Sequence, residues 1–541
     1  MKRDLRGMLS VFATVLLLAS CCPRNPGVNT VRTAHGNTDW HIDTAEEFLT
    51  GKDMGGTAKA ANHCPDTWTK THMHTGLTNT NEYYYDKDVT AAGKDTDATS
   101  GIDKPMLFFY AGHGEATDFS TLGNDAFITN MRIGNCAGSS NPGTLRYYWQ
   151  CSCEVFAHGP RNCGAGAYDY SCPGDFDGSA DSDAMRNVYE RWGARLDPTL
   201  RMACGSSTLA YCWDTETNKI WDNYNNKGYD VADSFIDGLH RYSWNTPLCI
   251  TTGGFFTSAT PLFDTSFTNA ANPSGAYYHI QYLSEFATTA PPIVIHIPEL
   301  IPIFELIPLP LPDPYRKFKF EEQGEWMYSA EQVKDRGPAI KVNRESGSLY
   351  VSGQRRFDEK ALPLKEEAYV QAAERIMREQ GWQEKTAGKA RGYRTVIQSM
   401  PKDGKQSEIR KTQKNVVVTF RRNLELDGKT VPVLGEGGVM SFQLNNDGSL
   451  LNASKVWRPV KSVLRMTKSK SYEQAYKEAL GKIKEPNAYK LADWTWGYEE
   501  AAGNVKQTEM KAFYVFNFLP VDVKNAKTYP PMIVTISAHL E

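Results

Sequence analysis

Pro105-Met-Leu-Phe-Phe-Tyr-Ala-Gly-His113-Gly114 and, further on, Leu145-Arg-Tyr-Tyr-Trp-Gln-Cys151-Ser152-Cys153 are the stretches whose reading decides the fold. Each is a continuous apolar run of strand length, and each ends in a reactive side chain. Continuous apolar runs bounded by turn residues suit strands buried on both faces, as in a parallel sheet covered by helices. In open α/β sheets, ligands sit beyond the carboxyl ends of the strands. If the two strands are adjacent and parallel, His113 and a cysteine share that edge. A thiol beside an imidazole is the minimum apparatus for nucleophilic catalysis, because the imidazole helps form the thiolate that attacks.

Strand, His-Gly, strand, then a small residue before Cys resembles the caspase-like cysteine peptidases (caspases, legumain, gingipains), over roughly residues 100 to 255. A bacterial lipoprotein family with the same arrangement is similar as well. The resemblance implies Cys153 as nucleophile, Ser152 as the small residue before it and His113 as proton carrier. It also implies the Gly114 N–H as part of an oxyanion hole, a peptide or protein as substrate, and no required cofactor. Cys151, one strand pitch earlier, is the alternative nucleophile. The Gly134-Asn135-Cys136-Ala-Gly loop between the strands is expected to border the site and add N–H donors for an oxyanion. Glu115 and Asp118 lie close behind His113. No match to the substrate-pocket segments of any one peptidase is evident.

The flanks place this region outside the cytoplasm. Lys2, Arg3 and Arg6 precede an apolar core, Met8 to Leu18, too short to span a bilayer as a permanent helix. Leu18-Ala19-Ser20-Cys21 resembles the bacterial lipoprotein processing box, which implies cleavage before Cys21 and lipid on Cys21, a tether to a membrane surface of the cell envelope. No later segment is long and apolar enough to span a membrane. With 60 Lys and Arg against 63 Asp and Glu, the formal net charge of −3 gives no reason to expect nucleic acid.

Of the 11 cysteines, Cys21 and Cys22 belong to the tether and nine remain, none after Cys249. In an oxidising compartment most should pair. Nine is odd, so four disulfides leave one free thiol, as a nucleophile requires. Cys151 and Cys153 are not expected to bridge each other, since so tight a loop strains the bond.

Residues 21–99 are polar and should supply the first strands, with Trp40-His41-Ile42 and Glu82-Tyr83-Tyr84-Tyr85 as short strands and Thr44 to Thr50 as a helix. His72-Met73-His74, and His63 with Cys64, lack the partner set of a metal site. Asp175, Asp177, Asp181 and Asp183, mostly spaced by two around Gly178, suit a structural calcium ion. The loop departs from the EF-hand because Arg186 stands at the twelfth position; its other reading is an acidic cap on a helix from Asp183 to Arg195. Leu200 to Tyr211 reads as a strand with a Gly205-Ser206-Ser207 turn. Tyr229 to Tyr242 reads as a helix with Val231, Phe235, Ile236 and Leu239 on one face, and Pro247 onward as the next strand. Alternating strands and helices make residues 100–286 a three-layer α/β domain with a mostly parallel sheet.

Residues 287–314 alternate proline with aliphatic residues and read as an extended strap along an apolar groove. Residues 315–465 and 466–541 each read as a helix (Glu366 to Gln380, Ser471 to Ile483) followed by antiparallel strands, with Asn446-Asp447-Gly448 as a hairpin turn. Phe420-Arg-Arg, Leu426-Asp-Gly, Gly435-Glu-Gly-Gly and Trp457 are similar to the cystatin-like modules of exported peptidase propeptides (the PepSY and thermolysin-propeptide type). That resemblance implies an α+β region that assists folding or inhibits the enzyme through contact with the α/β domain. The rival expectation for the whole chain is a non-catalytic binding or structural surface lipoprotein.

Overall fold

The computed structural model describes residues 30–35, 39–52, 62–72, 105–112, 118–120, 125–127, 145–152, 200–206, 214–240, 247–253, 276–286, 297–333, 337–353, 361–401, 410–521 and 532–540, with isolated positions at 84, 91, 156, 266 and 267. Its N-terminal half is built on β1 (Thr30–His35), α1 (Asp39–Thr50), β2 (Thr69–His72), β3 (Leu107–Ala111), β4 (Tyr147–Cys151) and β5 (Met202–Ser206). It continues with α2 (Asp214–Asp222), a π-turn (Asn223–Lys227), α3 (Val231–Leu239), β6 (Pro247–Gly253) and β7 (Tyr277–Phe286).

The strands lie in the order β2-β1-β3-β4-β5-β6, parallel through β5 and antiparallel at β6. The expected mostly parallel sheet is therefore present. β3, β4 and β5 are buried along their whole length, which is why their sequences run apolar without alternation. Phe109, Ala111, Trp149 and Cys151 face α1, α2 and α3 in one core with Phe48, Trp221, Val231 and Phe235. Phe48 stacks on Phe109 with ring centroids 3.9 Å apart. On the opposite face Phe108 stacks on Tyr148 at 5.7 Å. The helix expected from Asp183 to Arg195 lies outside the described residues.

Three local expectations are corrected. Trp40, His41 and Ile42 are helical, part of the same helix that buries Ala45, Phe48 and Leu49; a three-residue apolar run is too short to fix a period. The first strands are instead Thr30–His35 and Thr69–His72, polar segments that give little apolar signal. Gly205 and Ser206 belong to β5 and do not form a turn; a Cβ on Gly205 would sit 2.2 Å from the Phe156 ring, so the glycine serves close packing.

The sheet does not stop at the end of the α/β half. β7 pairs antiparallel with β13 (Ala387–Pro401) through ten consecutive residue pairs, Gly392↔Phe286 to Pro401↔Tyr277. Beyond β13 run β14 (Arg410–Leu426), β16 (Val439–Leu444) and β17 (Leu450–Val456), then β12 (Leu349–Ser352), β11 (Ile340–Asn343), β10 (Trp326–Ser329) and β9 (Phe320–Gln323). α4 (Glu366–Glu379) covers this part, burying Tyr369, Ala372, Ala373 and Ile376 in a core with Trp382, Phe442 and Trp457.

The last unit holds β15 (Lys429–Leu434), β19 (Tyr489–Glu499), β20 (Glu509–Pro520) and β21 (Met532–Ser537), with α5 (Tyr472–Lys482). A capping box starts α5: Gln474 N–H donates to Ser471 Oγ at 3.2 Å and Ser471 N–H to Gln474 Oε1 at 2.8 Å. The Pro-rich strap contains a strand, β8 (Leu300–Leu306), which pairs with β18 (Val460–Lys468) and briefly with β20. Ile301, Phe304 and Leu306 are core of this unit, which explains why the segment is less polar than a linker.

Candidate functional site

The strand order β2-β1-β3 reverses at β1, and in α/β sheets ligands bind beyond the carboxyl ends of the strands at such a switch point. Register fixes what reaches that edge. His35, the last residue of β1, pairs with Ala111, the last of β3, and Ala111 pairs with Cys151, the last of β4. The parallel ladder persists one step further, where Gly112 N–H donates to the Cys151 carbonyl at 3.1 Å. His113 follows Ala111 by two positions and Cys153 follows Cys151 by two. In sequence, both chosen residues thus follow the ends of adjacent parallel strands by the same two positions past a register pair.

His113, Gly114 and Cys153 themselves lie outside the described residues, as do Glu115, Gly134 to Gly138, Asp175, Asp177, Asp181, Asp183 and the lipidation candidate Cys21. Asp118 is described only as the first residue of a short strand paired with Asp125–Phe127.

The approach to the site is tightly built. A Cβ on Gly112 would stand 2.0 Å from the Tyr110 hydroxyl, so the residue before His113 has no room for a side chain. At the end of β4, Tyr148 OH donates to Gln150 Oε1 at 2.8 Å. Gln150 Nε2, Ser152 Oγ and Trp149 Nε1 are buried with no hydrogen-bond partner among the described residues.

The cysteines correct two expectations. Cys151 is disulfide-bonded, to a partner outside the described residues. In that state its sulfur has no thiolate, which removes it as alternative nucleophile. Cys204 and Cys249, register partners on β5 and β6, form a second disulfide with Cα atoms 4.0 Å apart. Cys64 is a free thiol, fully buried, and burial pushes its pKa far up, so it is inert. An inert Cys64 accounts for the odd cysteine, and the odd count no longer argues for a free Cys153.

Among the described residues no three His, Cys, Asp or Glu side chains group as metal ligands. His63 Nδ1 lies 2.9 Å from the Cys64 carbonyl, a local contact and no metal geometry. His35 was missed by sequence reasoning because Thr-Val-Arg-Thr-Ala-His carries too little apolar weight to be read as a strand. A second missed feature is the acidic stripe of Asp230, Asp233 and Asp237 along α3, opposite its apolar face.

That stripe joins the two halves of the sheet. Lys414 of β14 contacts Asp230, lies 3.3 Å from Asp233 and donates to Gln281 of β7 at 3.1 Å. Asp233 also accepts from Asn415 at 2.9 Å and Gln443 at 3.1 Å, and Asp237 accepts from Tyr393 and from Asn223. Burial, then Asp233, push the Asp230 carboxyl up to about 6 against the pull of Lys414. Burial opposes the charge of Lys414, but Asp230 and Asp233 outweigh it and hold the ammonium above its ordinary value. A second buried cluster ties the last two units: Glu500 accepts from the Arg458 backbone at 2.7 Å and faces the guanidinium groups of Arg458 and Arg422 at 3.4 and 3.3 Å.

No family model matches the chain, and no curated protein does. Among solved structures it is similar to an uncharacterized protein from Eubacterium rectale, at 8% identity and a TM-score of 0.28 over 44% of this chain and 85% of that one, a likeness too low to carry an argument about fold or function.

Proposed function

We propose that the chain is an exported, membrane-anchored cysteine hydrolase of the caspase-like type, a peptidase that works with a Cys153–His113 dyad. The observation that carries this reading is the pairing of Ala111 with Cys151 at the carboxyl edge of adjacent parallel strands beside the sheet's switch point. Cys153 Sγ attacks the peptide carbonyl carbon and its proton passes to His113. The imidazolium returns that proton to the leaving amine, and water then hydrolyses the thioester. Backbone N–H groups that include Gly114 hold the oxyanion. Lipid on Cys21 keeps the body at a membrane surface, and calcium on Asp175, Asp177, Asp181 and Asp183 is a structural accessory to the same reading.

The cystatin-like resemblance of the C-terminal units enters as a folding partner and not as a removable inhibitor. Detaching them breaks the ten-pair β7–β13 ladder and takes Lys414, Asn415, Gln443 and Tyr393 from Asp230, Asp233 and Asp237. A non-catalytic binding module is the second reading, favoured by the disulfide on Cys151 and by Cys64 as the odd thiol.

Mass mapping after alkylation of the unreduced, exported protein separates the two. Rapid modification of Cys153 that the His113→Ala variant slows is the expected result. Cys153 recovered in a disulfide, or alkylated at the same rate in both proteins, overturns the hydrolase reading.

A further inference from the structure

β18 is an edge strand of unusual surface chemistry. One side pairs with β8; on the other, the contacts among the described residues are the bridge Ser469↔His539, the Leu540 N–H on the Lys468 carbonyl (2.8 Å) and Thr467 Oγ1 with His539 Nδ1 (2.5 Å), all at its C-terminal end. Val463, Leu464 and Met466 are 51%, 43% and 52% exposed. Single exposed apolar residues are ordinary, but three on one open nine-residue edge form a template for pairing. Lysines commonly blunt such edges, yet they do not account for the apolar residues between them.

The charges choose the occupant. β18 carries Lys461, Arg465 and Lys468 and no carboxylate. Lys461 is matched by Glu305 at 2.8 Å, whereas Arg465 and Lys468 form no ion pair among the described residues. A second copy of the chain would set cations against cations across the new pair, which is unfavourable. A lipid surface would take the cations and the apolar side chains but would leave the open N–H and C=O groups unsatisfied. An extended peptide satisfies all three.

We propose that the open edge of β18 takes up an extended segment of another protein, with acidic and apolar residues alternating, as an added β-strand. This surface is independent of the hydrolase reading. The same end of the unit is electropositive by a separate sign: besides burial, Lys511, Arg465 and Lys470 act on the His539 ring to disfavour its protonation.

The test uses the full chain and two synthetic peptides, one alternating Glu with Val and one alternating Lys with Val, with amide exchange read over residues 460–468. The Glu–Val peptide should bind and slow exchange there. Arg465→Glu with Lys468→Glu should weaken binding roughly tenfold, the effect of two exposed charge pairs. Lys468 presents its carbonyl outward, so by alternation Met466 also faces outward. Met466→Pro should therefore remove a docking donor without breaking the β8 ladder. Equal binding of the Lys–Val peptide, no binding of either, self-association of the chain alone, or adsorption to phosphatidylglycerol vesicles in preference to the peptide overturns the proposal.

Discussion

Gly112 donates its backbone N–H to the Cys151 carbonyl at 3.1 Å, one step past the last register pair of β3 and β4. The bond holds the two strand ends together at the point where His113 and Cys153 depart. It depends on glycine, since a Cβ would meet the Tyr110 hydroxyl at 2.0 Å. Gly112→Ala should cost about 1–3 kcal/mol by overpacking, measured as a lower urea midpoint. Under the hydrolase reading it should also slow alkylation of Cys153 at urea concentrations where the variant remains folded. Unchanged stability would mean that Tyr110 rotates away freely.

Lys414 is the sole cation contacting Asp230 and Asp233 among the described residues; Lys414 and Asp233 are buried and Asp230 is nearly so. Lys414→Met leaves two carboxylates without it, a change worth about 3–5 kcal/mol. Asp233→Asn alone leaves Lys414 with Asp230 and should cost less. The double variant should be more stable than the sum of the singles predicts, because residues in one network couple. Additive losses in a denaturant double-mutant cycle would count against the network as a unit. Asp230 adds a pH signature: its folded pKa of about 6 exceeds the ordinary 3.8, so its contribution is present below pH 3.8 and lost as pH rises through 6.

What the sequence made legible follows burial. β3, β4 and β6 stand out because strands buried on both faces run apolar, and α4 and α5 because their apolar spacing is helical. The hairpin turn at Asn446-Asp447-Gly448, which joins β16 to β17 with Gly448 at φ 77°, is written in the residues themselves. β1 and β2 were not legible, since Thr, Arg and Lys fill them and parallel neighbours hold them in the sheet. Nor was the union of β7 with β13, a pairing across about a hundred residues that no local pattern encodes. The Asp230–Asp233–Asp237 stripe had the spacing of one helix face, a signal readable in retrospect; its partners on β7, β13, β14 and β16 were not.

The β7–β13 ladder makes a truncation informative. A chain ending at residue 314 keeps the α/β half but loses β13 and, with it, the whole outer edge partner of β7. Tyr278, Ile280 and Tyr282 then lie on an open ten-residue edge strand, which invites aggregation. Asp230, Asp233 and Asp237 lose Lys414, Asn415, Gln443 and Tyr393 together. The truncated protein should be insoluble or lack a cooperative melt. A soluble monomer with a sharp transition would show that the α/β half is an autonomous domain.

His539 gives the second pH signature, of opposite sign. Its Nε2 accepts the Ala512 N–H at 2.9 Å, so the neutral ring carries its proton on Nδ1, 2.5 Å from Thr467 Oγ1. Protonation would aim a new N–H at the Ala512 donor. Burial first, then Lys511, Arg465 and Lys470, push its pKa down from 6.5 to about 4. Between those values the unfolded chain binds the extra proton, so stability rises with pH from about 4 to 6.5 and is lost as pH falls through that window. The lysines and arginine face solvent-screened surroundings, so the effect is discounted to about 1–2 kcal/mol. His539→Gln should flatten the slope over that window, and salt should reduce it in the parent protein by screening the three cations. Denaturant midpoints at pH 4.5 and 7 that shift equally in parent and variant would place the acid sensitivity elsewhere, with the buried carboxylate of Asp237, whose folded pKa is held below its ordinary value, the next group to vary.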